Sequence, residues 1–246
     1  MKTVIVSAFY NIPSKQPYAF YREHLIRWFR SIHETVVFFT TSDIWQDVCS
    51  MGVDVSQVIC QFLPMESWTA WTRHGREFWE RQKARDPESY HTPELAAIWY
   101  EKKEFVQRAF SLVQGDVDVW VWCDAGCIRD PLSELCAHSF TKRTIGQCAD
   151  DRLHIQRVQH MNPKPFYQYP DCQYAAAILI GNRTAWIAYD RLYEEVLMEY
   201  DAQGVCGNSD QYILARAHDR MPSLFTVHDP PAYSIMNPWF FFLSVI

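Results

Sequence analysis

Val117-Asp118-Val119-Trp120-Val121-Trp122-Cys123-Asp124-Ala125-Gly126 is the stretch on which the fold turns. β-Branched and aromatic residues fill it as far as Cys123, and an acid with two small residues then ends it, the pattern of a buried strand delivering a turn. In open α/β sheets ligands collect at the carboxyl ends of strands. An acid placed there, with small neighbours that let a ligand approach, is well sited to hold a metal or a ribose. A turn aspartate that caps the next segment explains the same tripeptide equally well.

Upstream, Thr92 is placed to cap a helix with Pro93 at its first position. Leu95, Ile98, Trp99, Phe105, Val106, Ala109 and Val113 then fall on one face at helical spacing. Lys102 lies within that stripe, and Lys103 is turned about 100° away, toward the flank. An unpaired buried charge is too costly to keep, so Lys102 needs an anion, either a ligand phosphate or a structural carboxylate.

Further out, short apolar runs alternate with amphipathic segments, which predicts an α/β domain with a central mixed, mostly parallel sheet flanked by helices. The expected strands are residues 3–9, 36–41, 58–63, 117–123, 144–148 and 175–180; the expected helices are 18–31, 69–84, 93–113, 185–200 and 210–217. No repeat, low-complexity tract or Gly/Ser linker divides the chain, so residues 1–246 are read as one domain. The connection 64–92 is long for a compact domain, and its Arg73, His74, Arg76 and Arg81 suit either a lid over an anionic ligand or a solvated helical face.

The composition excludes several classes. A net charge of -6 without a basic run argues against a nucleic-acid binder. The eight cysteines form no CxxC pair, which points to buried reduced thiols rather than a zinc knuckle or a disulfide scaffold. An aromatic share of 15%, with ten Trp, exceeds the needs of a core and supplies faces on which bases and sugars stack. The first residues read as a strand rather than a secretory signal, and the apolar ending from Trp239 falls short of the ~20 residues of a spanning helix. The P-loop, dinucleotide, hydrolase-elbow and zincin signatures are all missing.

Two further clusters carry chemistry. Gly207-Asn208-Ser209-Asp210-Gln211 opens a helical pattern, where Ser209 or Asp210 serves as a cap, or Asp210 as a base for an acceptor hydroxyl with Gln211 beneath a sugar. His228 and Asp229 precede Pro230-Pro231, and His228 is a candidate second protein ligand to a metal at Asp124.

In order, Val6-Ser7-Ala8-Phe9-Tyr10-Asn11-Ile12, Thr92-Pro93-Glu94-Leu95 with Ile98-Trp99-Tyr100-Glu101-Lys102, Trp122 to Arg129, Ala177-Ile178-Leu179-Ile180-Gly181 and Asn208-Ser209-Asp210-Gln211 resemble the HtrL/YibB family of bacterial polysaccharide-locus proteins. That resemblance spans nearly the whole chain and implies a single-domain GT-A fold and a glycosyltransferase using a UDP- or GDP-type sugar donor. It places Ser7, Ala8, Lys102, Asp124, Ala125, Gly126 and Arg129 around the nucleotide. Asp124 becomes the first acid of a DxD motif, and Asp210-Gln211 is similar to a catalytic segment of glycogenin-like enzymes. It also implies Mn²⁺ or Mg²⁺, although Gly126 stands where the motif's second acid belongs. The expected acceptor is an oligosaccharide or glycolipid, met in the cytoplasm or at the inner membrane surface, with Pro165-Phe166-Tyr167-Gln168-Tyr169 lining its side of the cleft. The alternatives on the same residues are a silent sugar or nucleotide binder and a metal-dependent phosphohydrolase.

Overall fold

Val4, Ile5, Val6 and Ser7 are all fully buried, as in a strand covered on both faces. The computed structural model describes residues 1–137, 148–158, 173–230, 240 and 242–245. β1 (Thr3–Ala8) pairs in parallel with β2 (Thr35–Thr40) on one side and β4 (Val119–Cys123) on the other, and β2 pairs in parallel with β3 (Val58–Phe62). β6 (Tyr174–Gly181) runs antiparallel to β4 and to β5 (Leu153–Arg157), and β5 is parallel to β7 (Phe225–His228). The order is β3-β2-β1-β4-β6-β5-β7. Successive strands run outward from β1 in one direction and β4 begins the other side, so the order reverses between β1 and β4, where open α/β sheets bind ligands.

Helices cover both faces. α1 (Tyr18–Ser31), α2 (Ser42–Ser50), α6 (Pro131–Ala137) and α9 (Phe242–Val245) bury their apolar residues against Ile5, Val121 and Ile180. α3 (Thr69–His74), α4 (Arg76–Ala84), α5 (Pro93–Ala109), α7 (Arg183–Gln203) and α8 (Asp210–Arg220) pack against Val4, Trp122 and Leu179. α5 starts as its sequence dictates: the Thr92 hydroxyl accepts the Leu95 N–H at 3.1 Å, with Pro93 in the first turn. It runs antiparallel to β4, which it precedes, so its N-terminal end rises toward the ligand edge of the sheet.

Several expectations need correction. The single helix expected over 69–84 is two, broken at Gly75, whose φ of 76° and ψ of 163° suit only glycine. The helix expected to reach 113 stops at Ala109. α2, α6, β5 and β7 were not anticipated; each is short, and β5 carries His154 and Gln156 among its buried residues, which hides its apolar period. Of the expected strand 144–148 only Cys148 is described, and the acceptor segment 165–169 lies outside the described residues.

Candidate active site

The alternation of β4 sends Trp120 and Trp122 to the α5 face and Val119, Val121 and Cys123 to the other. Asp124 continues the parity of Trp122 and so meets α5, where it finds Lys102. The Lys102 ammonium lies 3.0 Å from Asp124 Oδ1, 2.7 Å from Asp210 Oδ2 and 3.0 Å from the Ala176 carbonyl of β6, which it donates to. Its hydrogen bonds go to Asp124 Oδ2 and the Ala176 carbonyl, and the contact with Asp210 is an ion pair. Asp124 Oδ1 also accepts the Trp122 indole N–H at 2.7 Å, and the Asp124 backbone N–H donates to the Ala177 carbonyl at 2.8 Å.

Burial differs along this chain of charges. The side chains of Lys102 and Asp210 are 9% and 7% exposed, that of Asp124 34%. Burial alone would strip Lys102 of its proton, but Asp124 and then Asp210 outweigh it and hold the ammonium above the ordinary lysine range. Burial lifts the Asp210 carboxyl, with Lys102 pulling it back.

The cap question at Asp210 has an answer in the geometry. Ser209 is the N-cap of α8, its hydroxyl accepting the Gln211 N–H at 3.3 Å, which leaves the Asp210 side chain to turn to Lys102. This segment is braced from behind. Buried Asp86 accepts the Asn208 amide at 2.5 Å and lies 2.7 Å from His91 Nδ1, and Gln82 accepts the Gly207 N–H at 2.8 Å.

Asp124, Lys102, Asp210 and Gln211 lie on one cleft of about 740 Å³, walled by the loops that follow β1 and β4 and by the N-terminal half of α5. Ala8, Ala125, Gly126 and Arg129 line it too. Arg129 folds its Nε onto the Gly126 carbonyl at 2.9 Å, and its guanidinium carbon stands 4.8 Å from the Phe240 ring centroid. Cys127, whose N–H closes the turn on the Asp124 carbonyl at 3.0 Å, is buried, its sulfur 3.4 Å from that of Cys123.

Other expected site residues sit elsewhere. Ser7 points to the opposite face of β1, fully buried, and donates to the Cys123 carbonyl at 2.6 Å, so it ties the sheet together behind the cleft. His228 is on the edge strand β7, three strands and roughly 14 Å from β4. Its Nε2 lies 2.9 Å from His154 Nδ1, and His154 in turn meets Asp150 at 2.8 Å. The expected lid cations are committed away from the cleft: Arg73 and His74 to Glu194, Arg76 to Glu94, Arg81 to Asp201. Lys103, expected on the flank, is 1% exposed and pairs with Glu104 and Asp190, because α7 packs over it.

The structure does not bring Asp124 and His228 together as ligands of one Mn²⁺ or Mg²⁺. His228 is remote, Asp124 Oδ1 accepts the Trp122 indole N–H, and Asp124 Oδ2 accepts from Lys102 at 3.2 Å. No group of three His, Cys, Asp or Glu side chains suited to a metal occurs among the described residues, so a cation at Asp124 would draw most of its oxygens from water and a bound diphosphate.

Sequence reasoning missed Trp122, Ala176, Asp86 and Lys15 as parts of the site. Trp122 was legible, since a residue two before Asp124 on a strand shares its face. Lys15 carries no local signal; it lines the cleft through the path of the loop after β1, its Nζ 5.2 Å from the Tyr90 ring centroid.

Neither a family model nor a curated protein matches the chain. Among solved structures it is similar to mouse xyloside xylosyltransferase 1 in its apo form, with a TM-score of 0.52 at 12% identity over 93% of this chain and 86% of that one. CMP:2-keto-3-deoxy-manno-octonic acid synthetase complexed with CTP aligns over 94% of this chain and 91% of its own, at 10% identity and a TM-score of 0.49. The chain has the GT-A, nucleotide-diphospho-sugar transferase fold.

Proposed function

We propose that this protein is a glycosyltransferase of HtrL/YibB type that moves a sugar from a UDP- or GDP-linked donor to a hydroxyl of an oligosaccharide or glycolipid. The observation that carries the reading is the Asp124–Lys102–Asp210 cluster on the floor of a cleft at the β1/β4 reversal. Asp124, the most exposed of the three, accepts ribose hydroxyls, and Ala125 and Gly126 let the nucleotide come close. Asp210 and Gln211 lie beneath the donor sugar. In the transfer the bond from the anomeric carbon to the diphosphate oxygen breaks with its electron pair leaving on the diphosphate. The acceptor oxygen bonds the same carbon, and its proton departs to a base. Asp210 stabilises positive charge at the anomeric carbon or takes that proton, and Lys102 is the positioning residue that holds both carboxylates in register.

Incubation with a panel of nucleotide sugars tests this by release of nucleoside diphosphate. Slow release without acceptor, accelerated by a hydroxyl acceptor, is the expected result. Binding without release supports a silent sugar-nucleotide binder, a reading favoured by Gly126 in place of the second acid. Inorganic phosphate from simple monoesters supports a phosphohydrolase and removes the transferase.

A further inference from the structure

We propose that the diphosphate of the nucleotide ligand is held by Arg129 and Lys15, without a divalent cation at Asp124. This rests on the nucleotide-sugar reading above.

The cationic side chains on the cleft wall, among the described residues, are Lys15, Lys102 and Arg129. Lys102 is committed within the cluster: it donates to Asp124 and to the Ala176 carbonyl, and its ammonium is ion-paired with Asp210 at 2.7 Å. Its ammonium is engaged by two carboxyl groups and is not offered to a diphosphate. Arg129 and Lys15 differ. Neither is paired with a carboxylate among the described residues, both are exposed, and they stand on the loops after β4 and β1, the two parallel strands that flank the order reversal. Among the described residues the Arg129 guanidinium bonds through its Nε, on the Gly126 carbonyl, and its two terminal nitrogens form the planar fork that suits phosphate oxygens. The Phe240 ring centroid, 4.8 Å from the guanidinium carbon, adds a cation–π contact.

The acid side of the site points the same way. Trp122 and Lys102 each donate to one oxygen of the Asp124 carboxylate, and the Lys102 ammonium offsets the charge that would draw a cation there. At position 126 a Cβ would meet nothing within 4 Å, so there is room for a second acid and glycine holds the place. A site whose exposed carboxylate already holds Trp122 and Lys102, which has glycine where a second acid would stand, and which keeps Arg129 and Lys15 without a carboxylate partner among the described residues supplies fixed side-chain charge instead of a metal.

Calorimetry with UDP and with GDP, on protein stripped with EDTA and on the same protein with Mn²⁺ added, tests the proposal. The expected result is affinity equal within about twofold in the two conditions, a loss of about tenfold or more in Arg129→Met and a further loss in the Lys15→Met double variant. Melting temperatures check that the variants fold, and Arg129→Lys, which keeps the charge but not the fork, should fall between. In parallel, electron paramagnetic resonance of free Mn²⁺ should show no more ion taken up by nucleotide with the protein present than by the same nucleotide without it. Affinity that appears only with Mn²⁺, or wild-type affinity in the double variant, overturns the proposal while leaving the nucleotide reading standing. Absence of binding by both nucleotides in both conditions removes the nucleotide reading and this proposal with it.

Discussion

Lys102 of α5 and Asp210 of α8 meet across the floor of the cleft at 2.7 Å, joining two helices that the fold brings together only over the end of β6. A buried pair of this kind is weak evidence for stability but costly to break from one side. Lys102→Met leaves Asp124 and Asp210 facing each other without a cation, and chemical denaturation should show a loss of about 3–5 kcal/mol. Lys102→Arg should not restore activity, because a planar fork cannot point three ways as an ammonium does.

Asp210→Asn separates catalysis from binding. With Ser209 capping α8, the carboxylate is free to act at the donor sugar, and k_cat should fall about a hundredfold with nucleotide affinity nearly intact. Steady-state kinetics beside calorimetry decide it. An active variant would strike Asp210 from the reaction.

Trp122→Phe keeps the stack on Phe105, whose ring lies 5.9 Å away at 10°, and deletes only the N–H held by Asp124. The cost should sit near the low end for a hydrogen bond to a charged group, about 1.5 kcal/mol, because the Asp124 side chain is 34% exposed. Turnover should fall further than that figure implies, since the freed carboxylate can leave its register. Equal losses in turnover and stability would make Trp122 structural only.

How far the sequence carried these conclusions differs by residue. Asp124 was legible as an acid at a strand end, and Lys102 as a charge on an apolar helix face, because periodicity alone dictates both. Their meeting with Asp210 was not, since it depends on β6 turning antiparallel, which no local pattern encodes. His228 was misjudged for the same reason: its residue type suits a metal, but only the strand order shows that β5 and β6 stand between it and Asp124. The Arg73 to Arg81 run misled because a helix reveals which face is charged and not which carboxylates another helix brings against it.

Stability should depend on pH through Glu101, which is fully buried and accepts the N–H groups of Thr69 and Ala70 at 2.8 and 3.0 Å. Burial pushes its carboxyl up to about 7 from 4.5. The folded state therefore binds more protons than the unfolded state between those values. The stability from this group is present below pH 4.5 and is lost as the pH rises through about 7. Melting temperatures across that window should decline in the wild type, and the decline should be shallower in Glu101→Gln.

Gly75→Ala should cost about 1–3 kcal/mol, because φ of 76° with ψ of 163° is closed to side chains and the break between α3 and α4 depends on it. No atom lies within 4 Å of the added Cβ, so the loss would be conformational rather than steric. A melting curve indistinguishable from wild type would show that the linkage relaxes.

The strand reversal between β1 and β4, with β6 returning antiparallel beside β4, has a consequence for how the molecule comes together. Asp124 and Lys102 belong to the first part of the chain and Ala176 and Asp210 to the last, so the contacts that join Lys102 to Ala176 and Asp210 span 74 and about 108 residues. The pocket cannot exist in a partly formed chain; loop closure over its longest separations has to come first. A nucleotide that engages Asp124 and Asp210 at once would therefore bind only the finished molecule, and its presence should raise the melting temperature of both halves of the sheet together.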